Sequence, residues 1–150
     1  ESFDEPIQLY PPAVVGDLIH AISSSNTEAQ AYFDQGFQLM YAFTKEDAAR
    51  SFREAWTRDP ECAICYWGEA WAWGSYLNGP MRPFEAPHAY VAIQEALTRI
   101  DLASERERAY ISAMAVRYVK DFDAETRRDQ DTAYADAMRA VAEAFPDDLD

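Results

Sequence analysis

The sequence predicts an all-α chain of about three antiparallel helix pairs behind an extended N-terminal leader. Three observations predict it. Alanines and larger apolar residues recur at intervals of three and four through most of positions 28–146, the period of a helix with one buried face. Only 5 glycines and few β-branched runs leave little material for strands and hairpin turns. Helix start and stop signals punctuate the chain at regular distances. With 150 residues, 49% of them hydrophobic, the chain suits one domain with a real core.

The elements follow in order. Positions 1–27 hold Pro6, Pro11 and Pro12 among Phe3, Ile7, Leu9 and Tyr10, and read as an extended segment lying on something. The apolar run Val14 to Ile22 fits a short helix or a strand equally. Ser23 to Thr27 is a polar loop offering Asn26 or Thr27 as an N-cap. A first helix then covers about 28–43, with Tyr32, Phe33, Gly36, Phe37, Leu39 and Met40 at helical spacing. Thr44 caps a second that holds Ala48, Ala49, Phe52, Ala55 and Trp56. Asp59-Pro60 ends it and opens a third, with Asp59 as cap and Pro60 in the first turn, running to about Tyr76. After a loop marked by Asn78-Gly79-Pro80, a fourth helix runs from about Pro87 to Ile100. Ser104-Glu105-Arg106-Glu107 is a capping-box pattern opening a fifth, to about Lys120. A sixth follows Thr126 and ends before Pro146.

The spacing in the first pair is specific. From Gly36, Ala48 comes twelve residues on, Phe52 four later, Ala55 three later and Pro60 five later. This is the G…A-x3-F…P pattern of a tetratricopeptide repeat in its 34-residue frame, with Tyr32 in place of the usual Trp. Its reason is steric: small residues let two helices approach, and one aromatic fills the gap. A second pair repeats the pattern with Tyr66, Ala70, Ala89, Ile93 and Ala96, given about seven extra loop residues. A third keeps it loosely through Tyr134, Met138, Val141 and Pro146. The pairs cover about 28–60, 61–102 and 103–146, and predict a right-handed α-solenoid whose repeat packing rests on Tyr32, Gly36, Ala48, Phe52, Ala55, Pro60, Ala70, Ala89 and Ala96.

The runs "AQAYFDQGFQLMYAFTKEDAARSFREAWTRDPECAICYWGEAWAWG", "LNGPM", "ASERERAYISAMAVRY" and "AYADAMRAVAEAFPDD" together resemble a group of bacterial tetratricopeptide-repeat proteins without an assigned catalytic activity. The resemblance spans about residues 17–150. It implies that this chain is the N-terminal portion of a longer protein, often one carrying a secretion signal. Glu1 in place of Met agrees with a removed upstream segment. A cleaved signal implies a periplasmic or extracellular home; a trimmed start leaves the cytoplasm open. A repeat array normally closes on a polar capping helix, and none follows "FPDDLD", so the array is expected to continue past 150 or to be covered by a partner.

The resemblance also implies which residues line the concave groove of the array. The first repeat gives Gln30, Phe33, Phe37, Met40 and Tyr41; the second Ile64, Trp67, Trp71, Gly74 and Ser75; the third Tyr110, Met114, Arg117 and Tyr118. Such an aromatic groove with one arginine at its edge suits an extended or helical peptide. The chain's own leader or later repeats would fill it equally well, and a carbohydrate or small ligand stacked on tryptophan is a third occupant.

Cys62 and Cys65, the only cysteines, stand in CxxC spacing. Cys62 is expected near the third position of the third helix and Cys65 one turn on, where a disulfide would be strained and would constrain little. The resemblance puts alanine at position 65, which argues against a required pair. A redox CxxC needs a βαβ context, haem attachment needs His where Tyr66 stands, and zinc needs ligands beyond His20 and His88, which lie far apart in sequence. Two small, buried packing residues are therefore expected, with redox or metal chemistry as the alternative.

Charge excludes further classes. Thirteen basic against 27 acidic residues give −14, the wrong sign for nucleic acid or an anionic membrane. The longest uncharged stretch, Ala70 to Met81, is too short to span a bilayer. Nucleotide, hydrolase and metalloprotease signatures are missing, and Asp121 to Glu125 lacks the glycine and distal glutamate of a calcium loop. The sequence thus reads as a non-enzymatic, cofactor-free scaffold for a protein or peptide partner. The alternatives are a subunit of a larger assembly or filament, its leader docking onto a neighbour, and a redox or metal-binding protein.

Overall fold

The computed structural model describes residues 3–149; residues 1, 2 and 150, at the outer edges of the expected leader and repeat region, lie outside it. Among the described residues the structure is all-helical: α1 (Pro12–Val15), α2 (Thr27–Tyr41), α3 (Lys45–Arg58), α4 (Ala63–Trp73), α5 (Glu85–Thr98), a 3-10 turn (Ile100–Leu102), α6 (Glu105–Ala115) and α7 (Arg127–Ala144). Each helix from α2 on packs against the next, and α4 also touches α2 and α6. No described helix is long and apolar enough to cross a membrane.

Local chemistry explains the starts. Asn26 caps α2, its side chain accepting from the backbone N–H groups of Glu28 and Ala29. Ser104 and Glu107 close a reciprocal capping box on α6. Between α2 and α3 the chain turns through Phe43, whose φ of 61° is left-handed, while Thr44 N–H closes onto Leu39 O at 3.0 Å. Glycine or asparagine is usual there; a bulky aromatic carries strain.

The core is knit by Phe52, fully buried on α3 between α2 and α4. A Cβ added at Gly36 would stand 2.9 Å from its ring, and one at Gly68 only 2.3 Å. Two glycines on neighbouring helices therefore admit one ring, and the close approach offsets the roughly 1 kcal/mol that glycine costs inside a helix. Tyr32, Ala48, Ala55, Ala70, Ala89 and Ala96 are buried as well. Pro60 is exposed, and its carbonyl accepts from Arg99 and from the Tyr66 hydroxyl.

Several boundaries differ from expectation. Asp59 does not cap the third helix, and Pro60 is not in its first turn. Asp59 Oδ1 instead accepts from Glu61 N–H and its carbonyl from Cys62 N–H, making a turn that delays α4 to Ala63. Cys62 is consequently the N-cap residue, outside the helix, and it forms a disulfide with Cys65. The bond expected to be strained within a helix closes because one partner precedes the helix. Both residues are buried, so the pair staples the Asp59–Ala63 turn to α4. Replacing both with alanine is expected to cost about 2 kcal/mol in urea unfolding, the loop-entropy value for so short a ring. Thiol titration of the denatured protein should find none free until reductant is added.

The fifth helix ends at Ala115, not near Lys120. Its continuation turns inward instead: the Tyr118 hydroxyl donates to Ala70 O (2.8 Å) in the last turn of α4, and Arg117 to Ser75 O (2.9 Å) just past its end. Burial pushes the Tyr118 phenol up to about 12, against the pull of Arg117 and Arg127.

The leader contains one short helix, α1, and otherwise runs extended over its own chain. Phe3 packs edge-on against Trp73 and beside Phe84. Arg53 donates to Phe3 O, and Arg50 to the carbonyls of Glu5 and Pro6. Ile7 is buried in the core. The leader then crosses α2 and reaches the N-terminus of α6, where Ser23 N–H donates to Glu107.

Candidate functional site

Helical periodicity sets aromatic residues of α2, α4 and α6 on one face, and their rings form a continuous row. Phe33 neighbours Phe37 at 6.1 Å, Phe37 meets Tyr41 at 5.5 Å and Trp71 at 5.3 Å, Trp71 stacks with Trp67 at 5.5 Å, and Trp67 meets Tyr110 edge-on at 5.6 Å. These spacings suit offset and edge-to-face pairs. Of the residues expected in a groove, the structure brings Phe33, Phe37, Tyr41, Trp67, Trp71 and Tyr110 together here, with Met40 half-buried beside them. It does not bring Met114, Arg117 or Tyr118. Met114 is wholly inside, and Arg117, expected at a groove edge, is buried with its guanidinium 4.6 Å above the Tyr134 ring. Arg117 and Tyr118 lie beyond the end of α6 and bond to the carbonyls of Ser75 and Ala70.

Exposure grades along the row. Phe33 and Phe37 are buried, and the His20 ring of the leader stacks on Phe37 at 4.4 Å. Toward the α2–α3 turn the row opens. Tyr41 is 57% exposed, Phe43 58% and Leu77 87%. These residues, with Met40, Lys45, Trp71, Ser75 and Tyr76, line a cavity of about 240 Å³. Its cation, Lys45, lies 3.3 Å from Glu85 and over the Tyr76 ring at 4.9 Å. Burial lowers the lysine pKa more than Glu85 raises it. Among the described residues the buried Trp67 Nε1 finds no hydrogen-bond partner.

A second cavity, about 590 Å³, lies between α3 and α5 over α4. It is lined by Arg53, Trp56, Tyr66, Glu69, Pro87, His88, Val91, Ala92 and Glu95. Its polar centre is Glu69, the one charged residue of the apolar helix Ala63–Trp73. The carboxylate accepts from Arg53 (2.5 and 3.1 Å), from Trp56 Nε1 (2.6 Å) and from Trp73 Nε1 (3.2 Å). With its acceptor oxygens so occupied, Glu69 organises packing rather than offering a base. Sequence reasoning passed over it; a lone carboxylate in an apolar helix, with arginine and indoles nearby, was the available signal.

Among the described residues no group of three or more His, Cys, Asp or Glu is placed to hold a metal ion. No protein-family profile matches the chain, and no curated protein or solved structure matches it significantly.

Proposed function

We propose that the chain is a non-enzymatic binding module of tetratricopeptide type, a short solenoid that holds a polypeptide partner at the open end of its aromatic row. The observation that carries this reading is the patch of Tyr41, Phe43 and Leu77 around the 240 Å³ cavity. Exposed rings and a leucine gathered at a cavity are an interaction signature, unlike apolar residues scattered singly. Phe43 strengthens it. An aromatic held at φ 61° is strained, and strain kept on an exposed side chain points to a role outside folding. The order in which the helices pack, and the Gly36–Phe52–Gly68 contact, agree with stacked pairs.

The alternative redox reading gains little from the cysteines. They are bonded to each other and buried, where a thiolate of another molecule has poor access. A buried structural disulfide does favour an oxidising home, so the periplasmic or extracellular location is preferred to the cytoplasm.

The test is capture of a partner from the native source by the wild-type chain and by Leu77→Asp, which alters only an exposed side chain. Trp71→Glu is a second variant, aimed at the ring row itself. Loss of capture of at least about tenfold is expected, the cost of removing an interface anchor. Unchanged capture by Leu77→Asp, with its fold intact, would defeat the reading. Phe43→Gly separates binding from folding. It should leave stability unchanged or raise it by up to about 1 kcal/mol, as left-handed strain is relieved, while weakening capture.

A further inference from the structure

The way α2 holds the leader is the unusual feature of this molecule. Over residues 18–23 the contacts are made to main-chain groups. Gln38 donates to Leu18 O (2.9 Å). Asp34 accepts from His20 N–H (2.8 Å), and Gln30 both donates to His20 O (2.9 Å) and accepts from Ile22 N–H (3.1 Å). On α6, Glu107 accepts from Ser23 N–H (2.7 Å), and Arg106 donates to Ala21 O (3.2 Å). Leu18, Ile19, Ala21 and Ser23 have exposed side chains. Two side chains anchor the segment: His20, stacked on Phe37, and Ile22, packed against the core two residues on. This is strand-type reading, with backbone donors and acceptors matched and alternate side chains pocketed.

A seam that reads backbone and asks only for a ring and, two residues later, an aliphatic side chain has little means of telling its own leader from another segment of that kind. We propose that the α2–α6 seam is a peptide-binding site for an extended partner segment of the form ring–x–aliphatic, and that residues 18–23 are its intramolecular occupant, displaced when the partner binds. This goes beyond the open-end reading and names a second site, separate from that cavity. The leader's tether gives it a high effective concentration, so a free segment competes poorly until the leader's own anchors are weakened.

The test uses the full chain and a fluorescent synthetic peptide of residues 17–24 as probe. In His20→Gly, and independently in Ile22→Gly, the leader loses an anchor while the seam is untouched. Each variant should bind the probe at least tenfold more tightly than wild type. Adding Asp34→Ala to either should abolish the gain, and a probe with alanine at the His20 and Ile22 positions should not bind. No binding by variants that retain helical circular dichroism would overturn the proposal. So would concentration-dependent dimers held by exchanged leaders, which would make the occupant a second copy. Leu77→Asp should bind the probe like wild type. Failure of the seam and failure of the open-end reading are thereby told apart, since each is read by a separate variant.

Discussion

Phe52→Ala is expected to destabilise the chain by about 3–5 kcal/mol, the range for truncating a fully buried aromatic whose surroundings cannot collapse. Collapse is blocked here because the ring is wedged against backbone. Gly36 on α2 and Gly68 on α4 present no side chain that could move into the void. The reciprocal substitution, Gly68→Ala, places a methyl group 2.3 Å from the ring and is expected to cost about 1–3 kcal/mol through overpacking. Joining the two gives the decisive result. In Phe52→Ala/Gly68→Ala the truncated side chain leaves room for the methyl, so the double variant should be more stable than the sum of the single losses predicts, with a coupling of about 1 kcal/mol or more. Urea unfolding followed by tryptophan fluorescence measures all of them. Simple additivity would mean that the ring and the glycines do not share one contact.

The same contact shows what was legible beforehand. Small residues and one aromatic at fixed helical offsets announce a tight helix–helix approach, so α2 and α3 fall near their expected places. Gly68 escaped notice because the repeat frame directed attention to Ala70, two positions on; the closer approach uses the glycine. Tertiary bonds decided what local pattern could not. Asp59 reads equally as a helix cap or a turn residue, and the Cys62–Cys65 bond accompanies the turn. The inward reach of Arg117 and Tyr118 ends α6 early, though the residues beyond Ala115 keep an apolar pattern compatible with helix. The leader's path was illegible for another reason. Its partners are glutamine, aspartate and arginine side chains bonding to main chain, and neither composition nor periodicity encodes such bonds. In the candidate site, Phe37, Tyr41, Trp67 and Trp71 are expected only through the tetratricopeptide resemblance, and Glu69 stands out in the sequence as a lone carboxylate in an apolar helix, whereas the strain at Phe43 shows only in the backbone geometry.

Glu69→Ala is expected to be the most damaging polar substitution, at about 3–5 kcal/mol, because it removes one partner of a buried pair and leaves the other without compensation. Arg53 would keep its charge at a site only partly open to water, and the indole N–H groups of Trp56 and Trp73 would lose their acceptor. Glu69→Gln discriminates between charge and shape. The amide has nearly the same outline but only one acceptor oxygen, and its NH₂ would face either an indole or a guanidinium donor. A donor set against a donor is worse than an empty place, so glutamine should recover little and still cost about 2–3 kcal/mol. Because Glu69 bonds Trp56 on α3 and Trp73 in its own helix, both changes should also alter the tryptophan emission of the folded state. A glutamine variant as stable as wild type would show that the carboxylate's charge contributes nothing, and that the α3–α4 contact is held by Phe52 and its glycines alone.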